Sequence, residues 1–437
     1  MNELIQKAER ANQIALELGA NEVEVLISQQ VSTEMSQRKG TVEKSQQSNT
    51  MSMAFSLLVD DRFSTHSISD TRPEAIKPFL KQAIEATRYL EPDSNRRLPN
   101  IDWMGVAEKP LNLFDATQRT PQERKETLNQ LEALALEKAQ NEPLRSITVG
   151  TWDVRSSGVT LCSNGYQAQW EQSQFGNSAE ITLVDPDGRL PEASTYYVAR
   201  HFRDVPSHEH LVNDLIEKGR KRLQSSAINS EKLPMLLENR VAARMLRPFL
   251  NALRGSEVYE KRSCFKDKIG QQVAASGLQI TSDPLIPKAL GSSYFDGDGL
   301  ASRTLPILVE GVLQNFFISI YNSRRLQMPH TSSQTGNIVI PAGDQTEKEI
   351  LAALPRAIRV EGFLGGNSNI TTGDFSYGIS GTLFENGEKV QGISEMNVSG
   401  NLLPFLKKWL CSANNPWVYS SYRIPSLLFD DMQFSGN

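Results

Sequence analysis

The sequence predicts an α+β protein in two parts, an N-terminal helix/sheet layer domain over residues 1–230 and a mostly antiparallel, β-rich C-terminal domain over residues 231–437. Three observations carry this. Amphipathic helices with legible starts and stops alternate with period-2 strands in the first half. Short apolar runs punctuated by Gly, Asp and Pro fill Val273 to Leu428. And 437 residues exceed what one ordinary core organises.

The elements follow in chain order. Leu4, Ala8, Ala11, Ile14, Ala15 and Leu18 recur at helical spacing before Gly19, so an amphipathic helix opens the chain. Val23, Val25 and Ile27 alternate with polar residues, Lys39-Gly40 offers a turn, and Met51 to Val59 alternate again, which makes a small one-faced sheet. Pro73 starts a second helix with Ile76, Phe79, Leu80, Ala83 and Ile84 as its stripe. Glu91 to Pro110, rich in Pro, Asn and Asp, reads as a surface connection. Thr120-Pro121-Gln122-Glu123 combines an N-cap, an N1 proline and a capping-box glutamate, launching a helix to about Lys138. Ile147 and Val149, then Tyr166, Ala168 and Trp170 after an Asn164-Gly165 turn, and a turn at Asp185 to Gly188 make the middle section mostly antiparallel sheet. A helix from about Ser207 to Leu223 buries Leu211, Leu215 and Ile216. Past the boundary at Glu231 to Pro234 come a strand to Leu237 and a helix from Val241 to Leu253 that Pro248 must bend. One further helix, near Glu347 to Leu354, interrupts the β-rich remainder.

Composition narrows the function classes. Hydrophobic content of 39% and charged content of 22% describe a globular chain. The net charge of −5 with scattered Lys and Arg argues against direct nucleic-acid binding, which needs a concentrated basic face. No segment reaches the roughly 20 apolar residues of a membrane span and no leader pattern opens the chain, so the expected location is the cytoplasm. Cys162, Cys264 and Cys411 are odd in number and far apart, which fits reduced thiols.

No Walker sequence, no Gly-x-Ser-x-Gly elbow and no strand-flanked Gly-x-Gly-x-x-Gly occurs. Asp296-Gly297-Asp298-Gly299 resembles the start of a calcium loop but lacks the third acidic ligand and the distal glutamate. His208-Glu209-His210 has the wrong spacing for a helical zinc site, because residues two apart point to opposite sides. His330 stands alone after Pro329, and nothing around Cys411 activates a thiol.

Residues Gly365 to Gly381 are dense in glycine and interleaved with Ile370, Phe375 and Tyr377, which a flexible linker would lack. They read either as a bulged core strand or as a strand lining a substrate site. This block, centred on Thr372-Gly-Asp-Phe-Ser, and the block Gly291 to Thr304, with Pro306 to Asn315, Tyr321 to Leu326 and Thr335-Gly-Asn after it, resemble the TldD/PmbA family. So do Gly19-Ala-Asn-Glu-Val-Glu-Val and Arg38-Lys-Gly-Thr-Val-Glu-Lys, so the likeness spans nearly the whole chain.

The resemblance implies a cytoplasmic zinc metalloprotease assembled from a TldD and a TldE (PmbA) subunit, which degrades or trims unfolded peptides in an enclosed chamber. It implies zinc only in the TldD-type subunit, held by an HExxxH helix and a distant cysteine. Here that motif is replaced around Arg247, Pro248 and Ala252, and Cys411 is a possible relic of the zinc cysteine. The chain therefore resembles the TldE type, with no catalytic residue, no metal ligand and no cofactor of its own. Its expected partners are an HExxxH-bearing TldD-like subunit and peptides, with a homodimer when it is alone. Asn367, Thr372, Asp374 and Ser376 are its chamber-lining candidates, each with turn or ladder capping as the plainer role. The rival expectations are a regulatory binding protein of the DNA-gyrase-modulator type without peptidase activity, and a metal-independent hydrolase using Cys411.

Overall fold

A computed structural model describes residues 1–436. The N-terminal region is one six-stranded antiparallel sheet with four helices on a single face. Its helices are α1 (Asn2–Glu17), α2 (Pro73–Thr87), α3 (Pro121–Lys138) and α4 (His208–Arg222). Its strands are β1 (Glu22–Arg38), β2 (Thr41–Val59), β3 (Arg62–Ile68), β4 (Leu144–Cys162), β5 (Gln167–Leu183) and β6 (Glu192–Ala199), in the order β3-β2-β1-β4-β5-β6. Parity on β1 explains why the helices lie on a single face. Val23, Val25 and Ile27 pack under α1 and α2, while Met35, an even number of residues further on, packs under α3. Lys39 and Gly40, with φ of 51° and 72°, make the tight hairpin that joins β1 to β2. The N-terminus of α3 is built as its sequence dictates: Thr120 Oγ1 accepts from the Glu123 amide, and the Glu123 carboxylate accepts from the Thr120 amide at 2.6 Å.

The small first sheet and the middle antiparallel section join in a single sheet, because β1 pairs with β2 on one edge and with β4 on the other along almost its full length. The alternation that marks β1 fades after Ile27, where Gln29 to Glu34 find no apolar cover on either side, although the backbone ladder continues. The opposite face carries mostly hydroxyl and amide side chains, with Trp170 and Trp152 against Gly158 and Gly176, and at one end Cys162 and Ala168 are buried on it against Leu98, Met104 and Phe295.

In the C-terminal region β7 (Glu231–Leu237) pairs on one side with Arg356–Phe363 and on the other with Leu427–Ser435. Leu427–Ser435 pairs with Glu388–Asn401, which pairs with Asp374–Glu385, and that strand returns to Arg356–Phe363. The pairings run in a ring, so this sheet closes on itself and its inward side chains form the largest core. Helix α5 (Ala242–Ala252) buries Met245, Leu246, Phe249 and Leu250 against that core, with Phe249 edge-on to Phe265 at 5.1 Å. The strand Asn367–Ser368 hangs on the ring as a two-residue edge beside Asp374–Glu385. A small five-stranded sheet carries the Gly291 to Thr304 block.

The C-terminal region holds more helix than the single segment near Glu347. That one forms, over Glu347–Ala352 with a capping box from Thr346, but Gly255–Tyr259, Ile320–Leu326 and Leu402–Phe405 are helical too. Ile320–Leu326 shows why they escape a periodicity test: Ile320 alone is buried, and the Ser319 cap defines the helix instead. The two regions meet through a charged junction. Arg359 touches Glu347 at 2.8 Å, Glu238 at 3.3 Å and Glu361, and beside them Arg240 pairs with Asp214 of α4.

Candidate substrate cleft

The outward side of α5 carries what its core-facing periodicity leaves over: Arg244, Arg247 and Asn251, with Pro248 between them. Opposite stands the edge strand Asn367–Ser368 with Gly366, Asn369 and Ile370, and Tyr377 closes the floor, giving an open cleft of about 590 Å³. Arg244 lies over the Tyr377 ring at 5.2 Å and Arg247 over the Tyr422 ring at 5.4 Å. No carboxylate lines the cleft.

The four predicted lining residues do not share one role here. Asn367 lines the cleft. Ser376 is its partner across the ladder and is exposed. Thr372 and Asp374 belong to a turn: Asn401 Nδ2 donates to the Thr372 carbonyl at 2.9 Å and to Asp374 Oδ1 at 2.8 Å, while Thr372 Oγ1 accepts from the Asp374 amide. These hydrogen bonds, Asn401 first, hold the Asp374 carboxyl below the usual carboxylate range. Arg244, Arg247, Asn251 and Asn369 escaped sequence reasoning because an Arg-bearing helix face reads as solvated. A signal was present: Asn239 to Ser256 contains four arginines and no acidic residue.

The other candidates sit elsewhere. Asp296 Oδ1 accepts from the amides of Asp298 and Leu300, and Oδ2 from that of Ser333, so its oxygens tie a loop together. Asp298 accepts from the Ile320 amide at 2.8 Å, and burial pushes its carboxyl up to about 6. His208 is the first residue of α4, half-buried, with burial lowering its pKa, and His210 packs edge-on against Tyr197. His330 stacks on Trp103 at 5.2 Å. Cys411 lies in another cleft beside Trp409 and Pro341, packed against the cluster of Leu236, Ile350 and Leu428, and burial raises its thiol pKa.

Two family models match the chain: the PmbA/TldA metallopeptidase C-terminal domain over residues 230–436 and PmbA/TldA metallopeptidase domain 1 over residues 23–87. The crystal structure of a candidate modulator of DNA gyrase from Bacteroides thetaiotaomicron superposes with a TM-score of 0.95 at 30% identity, covering 100% of both chains. The chain belongs to the PmbA/TldD family. Metalloprotease PmbA of Escherichia coli O157:H7 is 24% identical over 98% of this chain and 96% of its own length. TldE from Thermococcus kodakarensis, at 18% identity and a TM-score of 0.88 over 98% of this chain and 100% of its own, shares the fold.

A metalloprotease family raises the question of zinc, which needs about four thiolate, imidazole or carboxylate donors converging on one point. Among the described residues no group of three or more His, Cys, Asp or Glu side chains is placed to hold a metal ion. In α5 the helix turns Arg247 to the cleft and Ala252 to the core, and neither side chain, nor that of Pro248, offers a metal donor. Cys411 faces a different cleft from α5 and keeps its proton. These residues do not fit a zinc site.

Proposed function

We propose that this chain is the noncatalytic subunit of a TldD/TldE-like heterodimeric zinc metalloprotease, and that its C-terminal strands form part of the chamber in which unfolded peptides are degraded or trimmed. The observation that carries the reading is α5, which presents Arg244, Arg247 and Asn251 to a peptide-sized cleft on the helix where the family resemblance puts the HExxxH motif. The cleft also exposes the edge strand Asn367–Ser368, and an extended peptide can add to such an edge through main-chain hydrogen bonds that accept many sequences. Zinc and the general base then belong to the partner. On this reading residues 1–230 and 231–437 act as two domains, the complex is cytoplasmic, and the chain pairs with itself only when the partner is absent.

Coexpression with an HExxxH-bearing relative tests it. The two chains should copurify, and chelator-sensitive peptidase activity should require both. Chelator-sensitive cleavage by this chain alone would overturn the assignment. The name of the Bacteroides thetaiotaomicron relative favours a second reading, a regulator acting on a gyrase-type target. The acidic net charge of −5 then directs it to the protein rather than to DNA, and capture of a topoisomerase without a TldD-like chain would select it.

A further inference from the structure

We infer that the cleft between α5 and the edge strand takes an extended peptide segment bearing acidic side chains, gripped by Arg244 and Arg247. This rests on the proposal that the cleft is a peptide site, and adds the class of peptide.

Charge is the first argument. Other arginines of this region find acidic partners: Arg240 pairs with Asp214, Arg262 with Glu257 at 3.0 Å, and Arg359 with three glutamates. Arg244 and Arg247 have no acidic partner within 4.0 Å and make no side-chain hydrogen bond among the described residues, and both are exposed on α5. Exposed guanidiniums beside a carboxylate-free cleft leave their forked donors free for a ligand's carboxylates.

Shape is the second. Residues three apart on a helix sit about 5–6 Å apart at Cβ. Here the two guanidiniums lie over different rings, Tyr377 and Tyr422, so they present two positive points and not one clamp. Two points suit two side chains of one segment better than a single terminal carboxylate. In an added strand alternate side chains face the same way, so acidic residues two apart would both turn toward α5. The edge has room for that strand: Gly365 has no atom within 4 Å of where a side chain would begin, and Leu364 beside it is 60% exposed. Asn251 and Asn369 add amide donors and acceptors along the same wall.

The test uses the full chain and fluorescence anisotropy with a short acetylated, amidated peptide of alternating Glu and Val, against the same peptide with Gln for Glu. The acidic peptide is expected to bind about tenfold tighter at low salt, with the margin shrinking as ionic strength rises. In R244Q/R247Q the two peptides should bind within about twofold, with the melting temperature lowered by only a few degrees, because both side chains are exposed and lose only their contacts with the Tyr377 and Tyr422 rings. Equal affinity in the native chain, no binding of either peptide, or acid preference surviving in R244Q/R247Q would each overturn the inference. So would a neutral peptide with a free C-terminal carboxylate that binds as tightly as the acidic one. The subunit proposal fails separately: cleavage by this chain alone sinks it and leaves the acid preference standing, whereas loss of the preference leaves a partner-dependent peptidase untouched.

Discussion

Replacing Arg359 by Met should destabilise the protein strongly at pH 8 and much less at pH 5.5. The side chain is 11% exposed and sits among Glu238, Glu347 and Glu361, whose side chains are 11%, 19% and 12% exposed. Removing the one cation they share leaves three largely buried carboxylates without the charge that compensates them together, which costs about 3–5 kcal/mol. With an m value of about 3 kcal/mol per M, the urea midpoint should fall by about 1–2 M. The pH dependence follows from how Glu347 and Glu238 titrate. Burial pushes Glu347 up, but the Arg359 charge, the Ser426 hydroxyl and the hydrogen bonds from Arg359 and Asn415 outweigh it, so its folded pKa lies below the ordinary value. Its stabilising contribution is present above the unfolded pKa and is lost only as pH falls through the folded one. Glu238 runs the other way, because burial holds its pKa up despite Arg359, and ionising it already opposes folding. Without Arg359 the Glu238 and Glu347 carboxyls both move upward, because its charge lowers each of them. The variant therefore takes up protons on folding between pH 8 and 5.5 and should recover about 1–2 kcal/mol over that window, since a tenfold change in proton affinity is worth about 1.4 kcal/mol. Arg359→Lys should fall between the two, keeping the charge and losing the fork. A loss under about 1 kcal/mol at pH 8, or one that does not change with pH, would refute the idea that this junction is held by charge.

Two other outcomes separate packing from function. Gly366→Ala should destabilise well beyond Gly365→Ala, although both backbones have positive φ, at 90° and 77°. A Cβ at 366 would fall 2.4 Å from the Ser376 carbonyl oxygen and 2.5 Å from Tyr377 Cα, whereas at 365 it meets open space and costs only the conformational penalty of about 1 kcal/mol; equal urea midpoints would mean that the edge strand is not packed this closely. Cys411→Ser should leave peptide binding and partner-dependent cleavage unchanged, and iodoacetamide should modify Cys411 more slowly at pH 8 than a free thiol, because burial keeps the sulfur protonated. Fast alkylation, or loss of activity in a folded Cys411→Ser protein, would revive a thiol mechanism.

How much of the fold and the cleft is legible in the sequence depends on where the information lies along the chain. The Thr120 capping box, the Lys39-Gly40 hairpin and the stripes of α1 and α2 are local, written within about five residues, and each forms at its expected place. The continuity of β1 from Val23 to Met35 is hidden, because side chains in its middle meet no apolar partner and carry no periodic signal, while pairing with β4 spans more than a hundred residues. Closure of the C-terminal ring is non-local in the same sense: Arg356–Phe363 pairs with both β7 and Asp374–Glu385, and nothing within the strand announces two neighbours. The cleft combines both difficulties. Arg244 and Arg247 acquire meaning only once α5 is fixed against the core and Tyr377 and Asn367 arrive from over a hundred residues away.

The glycine-dense block shows why its two readings are not alternatives. Phe375, Tyr377 and Ile379 turn into the ring's core, while Asp374 and Ser376, which alternate with them, face outward, so one strand packs on one side and presents polar groups on the other. The bulge at Ser380, between Ile379 and Gly381, changes the register, and beyond it Thr382 and Leu383 are both buried. Glycine is required where strands nearly touch: a side chain at Gly381 would begin 2.1 Å from the Arg359 carbonyl oxygen, on the very residue whose guanidinium holds the charged junction. The ring's closure, the junction and the edge beside α5 are thus positioned by one stretch of backbone. A substitution there should therefore disturb peptide binding through the position of Asn367 and Tyr377 even when it touches no residue of the cleft, whereas Arg244 and Arg247 can be changed without moving the strand at all.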